Sequence, residues 1–382
     1  MLGGMNRPRM ITVVGSGVAG SAIAHALVRA GLGVRLLYRA ADEGASFTNQ
    51  KWHHSGILYP SETVLKQAWA AHQSADRLLV DHVCRAHKPA RFLCLHEETL
   101  DQRRRWLEEW HVRDLGLEWD ELAPSELAPF PSAAGGFRGP DRAVDFPALI
   151  RHLRNEVTAN GGDVLEGAHV TRLLFDNQSR RVHGVGYRFD GREHEAGSDH
   201  IVLAAGAWSI ELLAQIGDIR LPKLVRKKCV ILSYPGELVP GITVCLDVTK
   251  CDGSLGDTTL VPFHGRTLAA GIDWKPIHDV DNAGPTDEEV DSLKAELAQW
   301  FPALTQMEPS PHVCIKTEPD TGQGPPNVLP TAYRTNDHGV AGLTVAFPGK
   351  ASFMFELARG VAEPLKGAAQ QADAADRPSA GR

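Results

Sequence analysis

The sequence lacks three features that would place the chain in a specialised class. Its six cysteines form no Cys-x-x-Cys pair and no Cys/His spacing typical of zinc, so we predict no metal site. No apolar run approaches the roughly 20 residues that a membrane helix needs, so we predict no integral membrane segment. A formal net charge of −7 argues against a nucleic-acid partner.

The composition is that of an ordinary globular protein. With 382 residues, 43% hydrophobic and 23% charged, the chain is long enough for about two domains. The first residues run into a strand pattern without an apolar region or cleavage site, so we expect no signal peptide and, by default, a cytoplasmic protein. Residues 366–382 contain no large apolar side chain, which predicts a disordered tail.

The start of the chain carries a dinucleotide-binding pattern. A buried strand is predicted over Met10–Val14, and the sequence Gly15-Ser16-Gly17-Val18-Ala19-Gly20 follows it directly. A helical pattern over 21–30 and a second strand over 34–38 complete a βαβ unit. This order of elements predicts a Rossmann-type nucleotide-binding domain.

Each part of the glycine-rich sequence has a physical task in such a domain. Gly15 makes the tight turn, Gly17 lets the backbone approach a pyrophosphate, and Gly20 allows helix and strand to pack closely. Val18 and Ala19 begin the helix, whose N-terminal N–H groups point at the phosphates. We therefore predict that these five residues contact the cofactor.

The end of the second strand departs from the pattern. An acidic residue normally binds the ribose there, but this chain has Tyr38 followed by Arg39. An arginine at this place also suits a 2′-phosphate. On these residues alone, both FAD and NADP remain possible cofactors, with Tyr38 and Arg39 beside either one.

A downstream polar segment carries a family resemblance. It reads Ser46-Phe47-Thr48-Asn49-Gln50-Lys51-Trp52-His53-His54-Ser55-Gly56-Ile57-Leu58-Tyr59. It resembles the second flavin-facing segment of the D-amino-acid-oxidase-like FAD superfamily, which includes glycerol-3-phosphate dehydrogenase, L-2-hydroxyglutarate dehydrogenase and glycine oxidase. The resemblance implies FAD as the cofactor. It also implies cofactor contacts from Thr48, Asn49, Lys51, His53, Ser55 and Gly56.

Three later segments resemble the same family in the same order. The segment 169–173 is similar to the strand whose backbone meets adenine, which implies a contact from Val170. The segment 201–208 resembles a strand followed by an Ala-x-Gly-x-Trp turn, and 345–352 resembles the Gly-Lys-x-Thr segment before a flavin-facing helix. The implied contacts are Ala205, Gly206, Trp208, Gly349, Lys350, Ala351 and Ser352.

The order of these segments predicts an α/β fold with an inserted domain. The Rossmann-type FAD-binding domain is expected from 1–60, 140–215 and 325–365, with its last helix ending ahead of Pro364. An α+β substrate domain, built on an antiparallel sheet, is expected from 61–139 and 216–324. Helices are predicted over 62–86, 100–115 and 286–301, and strands over 227–234, 241–247, 258–263 and 267–273.

Three residues are candidates for substrate chemistry. Flavin-dependent oxidation needs a proton acceptor, and the neutral-range pKa of histidine suits that task. His54 matches the histidine of the family's His-Gly-Gly stretch, with a structural role as the alternative. His264 lies in a segment, 260–274, that resembles a hairpin near the substrate. Arg334 resembles an arginine that holds the substrate's acidic group, with a surface arginine as the alternative.

Departures from the family's sequence pattern restrict the class of substrate that we expect. Glycerol-3-phosphate dehydrogenases have arginine at the position of Leu58 and glycine at that of Ser55, so a phosphate partner is missing. We therefore predict an FAD-dependent dehydrogenase or oxidase. Its substrate is expected to be a small anionic amino acid or 2-hydroxy acid, oxidised at a CH–NH or CH–OH group by hydride transfer to flavin N5. The electron acceptor is left open among oxygen, a quinone and a protein. The alternatives are a flavin-binding protein without redox turnover and an NADP-dependent reductase.

Overall fold

The chain folds into two compact units that alternate along the sequence. The structure is a computed structural model that describes residues 9–39, 44–79, 89–217, 219–272, 274–320 and 329–375. Unit 1 comprises Met1–Phe47, Pro147–Leu224 and Thr317–Arg382, and unit 2 comprises Thr48–Phe146 and Val225–Lys316. The first change of unit therefore falls after Phe47, ahead of the boundary at 60 that the sequence predicts.

Twenty strands and nine α-helices are found in the described residues. The strands are β1 (Met10–Val14), β2 (Gly33–Tyr38), β3 (Trp52–His53), β4 (Ala90–Cys94), β5 (Asp120–Glu121), β6 (Gly135–Gly139), β7 (Arg142–Ala143), β8 (Asp163–Glu166), β9 (His169–Asp176), β10 (Arg181–Phe189), β11 (Arg192–Gly197), β12 (His200–Leu203), β13 (Leu224–Pro235), β14 (Thr243–Thr249), β15 (Leu255–Phe263), β16 (Arg266–Gly271), β17 (Lys275–Ile277), β18 (Ser310–Pro319), β19 (Thr331–Arg334) and β20 (Leu343–Phe347). The helices are α1 (Val18–Arg29), α2 (Ala45–Thr48), α3 (Glu62–Leu79), α4 (Glu97–Glu109), α5 (Pro124–Leu127), α6 (Phe146–Ala159), α7 (Ser209–Ala214), α8 (Asp287–Ala298) and α9 (Met354–Ala375).

Unit 1 is built on a six-stranded sheet in the order β19-β20-β12-β1-β2-β8. All its pairs are parallel except β19–β20. Parallel strands buried on both faces read as continuous apolar runs, as β1 and β12 do. The parallel register aligns the carboxyl ends of β1, β2 and β8, with Tyr38 opposite Glu166. The predicted α/β fold with a Rossmann-type start is confirmed.

A second sheet of unit 1 has three antiparallel strands, β9, β10 and β11. Its buried side chains join those of the six-stranded sheet in one apolar core, which includes Val14, Val170, Val185 and Leu203. The register between β9 and β10 shifts near Val170, where Tyr187 pairs with Val170 and Gly186 with Arg172. At this bulge the Thr171 carbonyl oxygen accepts a hydrogen bond from Gln215 Nε2 at 3.0 Å.

Unit 2 is built on a nine-stranded sheet in the order β17-β13-β16-β15-β14-β4-β6-β5, with β18 paired to β13. β14 and β4 are parallel, whereas the other neighbours in this order are antiparallel. The prediction of helices alone for residues 61–139 is wrong, because β4 and β6 lie there. Phe92 and Phe137 stack across these two strands with ring centroids 5.0 Å apart. α8 lies within the helix predicted over 286–301, and it is capped by Thr286 and Glu289.

The last helix is longer than the sequence suggests. α9 continues through Pro364 to Ala375, so its predicted end ahead of Pro364 and the predicted disorder of 366–375 are wrong. α9 packs on α1, and Val361 and Ala362, just ahead of the proline, are buried, so packing outweighs the cost of an internal proline. Residues 376–382 of the expected tail, residues 80–86 of the expected helix over 62–86, and Asp273 lie outside the described residues.

Candidate functional site

The glycine turn of unit 1 is held by backbone contacts that leave no room for side chains. Gly15 has a φ of +95°, and a Cβ atom there would lie 2.6 Å from the carbonyl oxygen of Ala204. A Cβ atom on Gly20 would lie 1.8 Å from the carbonyl oxygen of Gly15. Both positions therefore require glycine, and the turn lies tightly against the end of β12.

Gly17 has a different reason to lack a side chain. Its φ of −63° is ordinary, and it forms the N-cap of α1 without a side chain of its own. A Cβ atom there would meet the Ser46 side chain, whose hydroxyl would lie at 2.8 Å. That hydroxyl accepts a hydrogen bond from the backbone N–H of Val18 at 3.0 Å. Bare backbone at the N-terminus of a twelve-residue helix fits the pyrophosphate of FAD, because the N–H groups and the helix dipole favour negative charge.

An arginine that sequence analysis missed supports this turn. Arg154 of α6 donates to the backbone oxygen of Ser16 at 3.0 Å and to its hydroxyl at 2.5 Å. Its guanidinium lies 4.0 Å from the centre of the Tyr38 ring. Burial lowers the pKa of Arg154, and burial also raises the pKa of Tyr38. No sequence signal marks Arg154, because only the packing of α6 places it beside Ser16.

Other predicted cofactor residues of unit 1 also lie at strand ends. Arg39 places its guanidinium 4.8 Å from the centre of the Trp208 ring, so two residues far apart in sequence meet. Gly206 follows β12 with a φ of +55°. Gly349 follows β20 with a φ of +65°, and Lys350 caps the short 3₁₀ turn Ala351–Phe353 ahead of α9. Ala205, Ser352 and Val170 complete this set, whose cofactor contacts stay predictions.

The polar segment 48–56 lies in unit 2, where its start is shaped by local hydrogen bonds. The Asn49 side chain accepts a hydrogen bond from the Lys51 backbone N–H at 3.0 Å, which makes a tight turn. Lys51 there adopts a left-handed φ of +59°. His312 donates from Nε2 to the Thr48 carbonyl oxygen at 3.1 Å. The segment is therefore tied to β18, far away in sequence.

A buried carboxylate holds the middle of the segment. β3 pairs with β7 in an antiparallel ribbon, and Asp141 directly precedes β7. Asp141 accepts hydrogen bonds from Trp52 Nε1 at 2.8 Å, from the Ser55 backbone N–H at 3.0 Å and from the Ser55 hydroxyl. Burial raises the pKa of Asp141 although these donors oppose the shift. Asp141, which sequence analysis missed, fixes the geometry of residues 52–55.

The two histidines of the segment are deeply packed. His54 is 7% exposed, its ring stacks on Trp52 with centroids 3.9 Å apart, and its backbone oxygen accepts from His72 Nδ1 at 3.2 Å. His53 stacks on His72 at 4.1 Å, and burial holds the pKa of His53 well below its usual value. This packing favours the structural alternative for His54 over a catalytic base, and the catalytic role stays a prediction.

Gly56 has a packing task that sequence analysis did not foresee. Its φ is +99°, and a Cβ atom there would lie 2.7 Å from the Ala68 Cβ atom and 2.8 Å from the Leu65 carbonyl oxygen. Both atoms belong to α3. Gly56 therefore lets the segment cross α3 closely, whether or not it also contacts the cofactor.

Lys51 is the centre of a small polar cluster in unit 2. The side chain is 4% exposed, and its Nζ lies 5.8 Å from the centre of the Phe263 ring. Burial lowers the pKa of Lys51 to about 8, although the neighbouring Cys314 and Asp145 oppose the shift. Asp145 is placed there because the Val144 backbone N–H donates to the Lys51 oxygen at 2.7 Å. An amine that exchanges its proton near neutral pH suits acid–base chemistry.

Two further predicted substrate residues are more exposed. His264 lies in the hairpin turn between β15 and β16, its side chain is 63% exposed, and its Nε2 lies 2.9 Å from Asp145 Oδ2. Asp145 thus links His264 to Lys51. Arg334 ends β19 in unit 1, with a side chain that is 62% exposed and an Nε 4.0 Å from Asp337 Oδ2. The roles predicted for both residues stay predictions.

Comparison with known proteins identifies the family. Residues 10–351 match the model of the DAO family, FAD dependent oxidoreductase, and the chain belongs to this family. It is 28% identical over 358 residues to glycine oxidase of Pseudomonas aeruginosa, a match that covers 84% of this chain and 85% of that protein. The cofactor is therefore FAD and the protein is an FAD-dependent oxidoreductase, as the four sequence segments predict. The NADP-dependent alternative is not supported.

Solved structures share the fold at low sequence identity. Iminodiacetate oxidase from Chelativorans sp. BNC1 superposes with a TM-score of 0.73 at 17% identity, over 94% of this chain and 95% of that one. Glycerol-3-phosphate dehydrogenase from Bacillus halodurans, complexed with FAD, gives a TM-score of 0.67 at 17% identity, over 98% of this chain and 66% of that one. Among the described residues, no helix is long and apolar enough to cross a lipid bilayer.

Proposed function

We propose that the protein oxidises the C–N bond of a small amino acid or a related amino carboxylate. The observation that carries this proposal is the buried Lys51, whose pKa is lowered to about 8 beside Asp145 and Cys314. It lies in the segment that resembles the family's flavin-facing loop. Glycine oxidase and iminodiacetate oxidase, two of the proteins that this chain resembles, are named for substrates with both an amine and a carboxylate.

FAD, when bound, accepts the hydride from the substrate carbon. The task that remains for the protein is to prepare the amine, because an ammonium group must lose a proton before a C–H bond beside it can give up a hydride. Neutral Lys51 accepts that proton, and the nitrogen lone pair then forms the C=N bond as the hydride leaves. Lys51 is suited to the task because burial has brought its pKa down to about 8.

The substrate carboxylate needs a cation, and Arg334 is our candidate. Within the described ranges its ion pair is with Asp337, and because this pair is long at 4.0 Å and exposed, exchanging Asp337 for a substrate carboxylate costs little. The planar guanidinium can bind a carboxylate through two parallel N–H donors, which fixes its orientation. We therefore expect the amide of the true substrate to react more weakly than the acid in the wild type. Arg334→Lys should reduce that discrimination.

The second candidate substrate is a 2-hydroxy acid, which the missing phosphate partner at Leu58 also allows. Anaerobic addition of paired amino acids, N-substituted amino acids and 2-hydroxy acids to the FAD-loaded protein separates the two. The visible flavin band should disappear with amino carboxylates and persist with the matched hydroxy acids. Loss of the band with hydroxy acids alone would contradict C–N oxidation. Persistence with every compound would favour a flavin-binding protein without turnover.

A further inference from the structure

In a Rossmann-type domain, an acidic residue at the end of the second strand normally binds the adenosine ribose. The second strand of unit 1, β2, has no acidic residue at its end. Tyr38 occupies that place at the carboxyl end of β2, and it is 6% exposed. A phenol has a single oxygen, so it cannot accept a hydrogen bond from each of the two ribose hydroxyls as the two oxygens of a carboxylate can. Some other group of this chain must therefore receive the ribose hydroxyls if FAD binds in the usual place.

A carboxylate is available on the neighbouring strand. β8 pairs with β2 in parallel, and Glu166, the last residue of β8, lies opposite Tyr38. The Tyr38 hydroxyl donates a hydrogen bond to the Glu166 carboxylate. In parallel strands the carboxyl ends meet at one edge of the sheet, so Glu166 shares the edge with the glycine turn after β1. Glu166 itself is exposed.

Arg154 ties this pair to the glycine turn. Its guanidinium lies over the Tyr38 ring and hydrogen bonds to the Tyr38 side chain, while it also donates to Ser16 inside the turn. Arg154, Tyr38 and Glu166 thus form a continuous chain of contacts from the pyrophosphate turn to the end of β8. These contacts connect the Glu166 carboxylate to the glycine turn through two side chains.

We propose that Glu166 binds the ribose hydroxyls of FAD in place of the missing acid on β2, and that Tyr38 and Arg154 position it. The two neighbouring ribose hydroxyls donate to the two oxygens of the Glu166 carboxylate. The Tyr38 hydroxyl continues to donate to a further lone pair of the same carboxylate. A carboxylate here also repels a 2′-phosphate. The site therefore selects FAD against a 2′-phosphorylated dinucleotide, although Arg39 follows Tyr38 in the sequence.

Titration of the apoprotein with FAD, followed by the change in flavin fluorescence, tests the assignment. Glu166→Gln should weaken FAD binding about 10-fold to 100-fold, the range for losing hydrogen bonds to a charged group. Asp163→Asn is the matched control, because Asp163 is an exposed carboxylate at the opposite end of β8, paired with Arg35. The control variant should bind FAD as the wild type does.

Titration with a second ligand shows whether Glu166→Gln removes a contact with the ribose or weakens binding in general. An FAD analogue with a 2′-deoxyadenosine half should bind the wild type more weakly than FAD, and Glu166→Gln should change its affinity much less than that of FAD. Tyr38→Phe keeps the ring under Arg154 and should weaken FAD binding by a smaller factor than Glu166→Gln. Equal weakening of FAD and the analogue by Glu166→Gln, or an unchanged FAD affinity, would overturn the proposal.

Discussion

The glycine turn of unit 1 and the polar segment 48–56 of unit 2, called the Lys51 segment below, reach their shapes by opposite means. The turn depends on missing side chains, since added atoms at Gly15 and Gly20 would meet backbone oxygens. The Lys51 segment depends on side chains that are present, chiefly Asp141 with its bonds to Trp52 and Ser55. Added atoms therefore damage the first region, whereas loss of the Asp141 side chain damages the second, in which only Gly56, at the end of the segment, shares the turn's need for a missing side chain.

The largest expected effect comes from adding atoms to the turn. Gly17→Val should yield a folded protein that purifies without flavin, because its φ of −63° accepts a side chain while the new methyl groups occupy the pyrophosphate site. Gly197→Ala is the control, since a Cβ atom there meets nothing within 4 Å. The ratio of flavin absorbance to protein absorbance measures the result. Full FAD content in Gly17→Val would remove Gly17 from the site.

Removing atoms from the other region should lower stability. Asp141→Ala leaves the Trp52 indole N–H and the Ser55 backbone N–H without their acceptor, which should cost about 2 to 4 kcal/mol of unfolding free energy. The matched control is Asp252→Ala, because exposed Asp252 also accepts from the backbone and hydroxyl of one serine, Ser254. Denaturant unfolding should show less than about 0.5 kcal/mol for the control. Equal losses in both variants would mean that burial of Asp141 adds nothing.

The smallest of these stability effects concerns pH. Burial raises the pKa of Asp257 to about 6 despite the nearby Arg103, with Asp247 adding to the rise. A folded pKa above the unfolded value means that the native state holds its proton longer, so stability falls as pH rises from about 4 to 6 and then stays level. The difference in unfolding free energy between Asp257→Asn and the wild type should therefore grow by about 2 kcal/mol from pH 4 to pH 7. A pH-independent difference would contradict the raised pKa.

The fold could be predicted from the sequence where it depends on local patterns, and it was missed where it depends on tertiary packing. Strand β1, the glycine turn and α1 are local patterns, and the structure places all three where the sequence predicts them. The strands β4 and β6 were missed because Gly135–Gly139 carries three glycines and little strand preference of its own. The pairing of β4 with both β6 and β14 supplies what local preference lacks.

Only those residues of the candidate site that lie within a recognisable sequence motif could be predicted. Lys51 and His264 belong to segments that resemble the family, but Asp145, which links them, has no such signal. Asp141 and Trp52 are 89 positions apart, and Arg154 and Ser16 are 138 positions apart. Tertiary packing brings buried polar partners of this kind together, and the local patterns of a single sequence do not reveal such packing.

The pH dependence of anaerobic flavin reduction tests the central claim most directly. With a saturating amino carboxylate that reduces the wild type, the limiting rate should rise with pH and level off above a pKa of about 8, as Lys51 loses its proton. Lys51→Gln should reduce the rate about 100-fold or more and abolish that inflection. Lys66→Gln, which changes an exposed lysine paired with Glu62, should leave both unchanged. An inflection near 8 that persists in Lys51→Gln would contradict Lys51 as the proton acceptor.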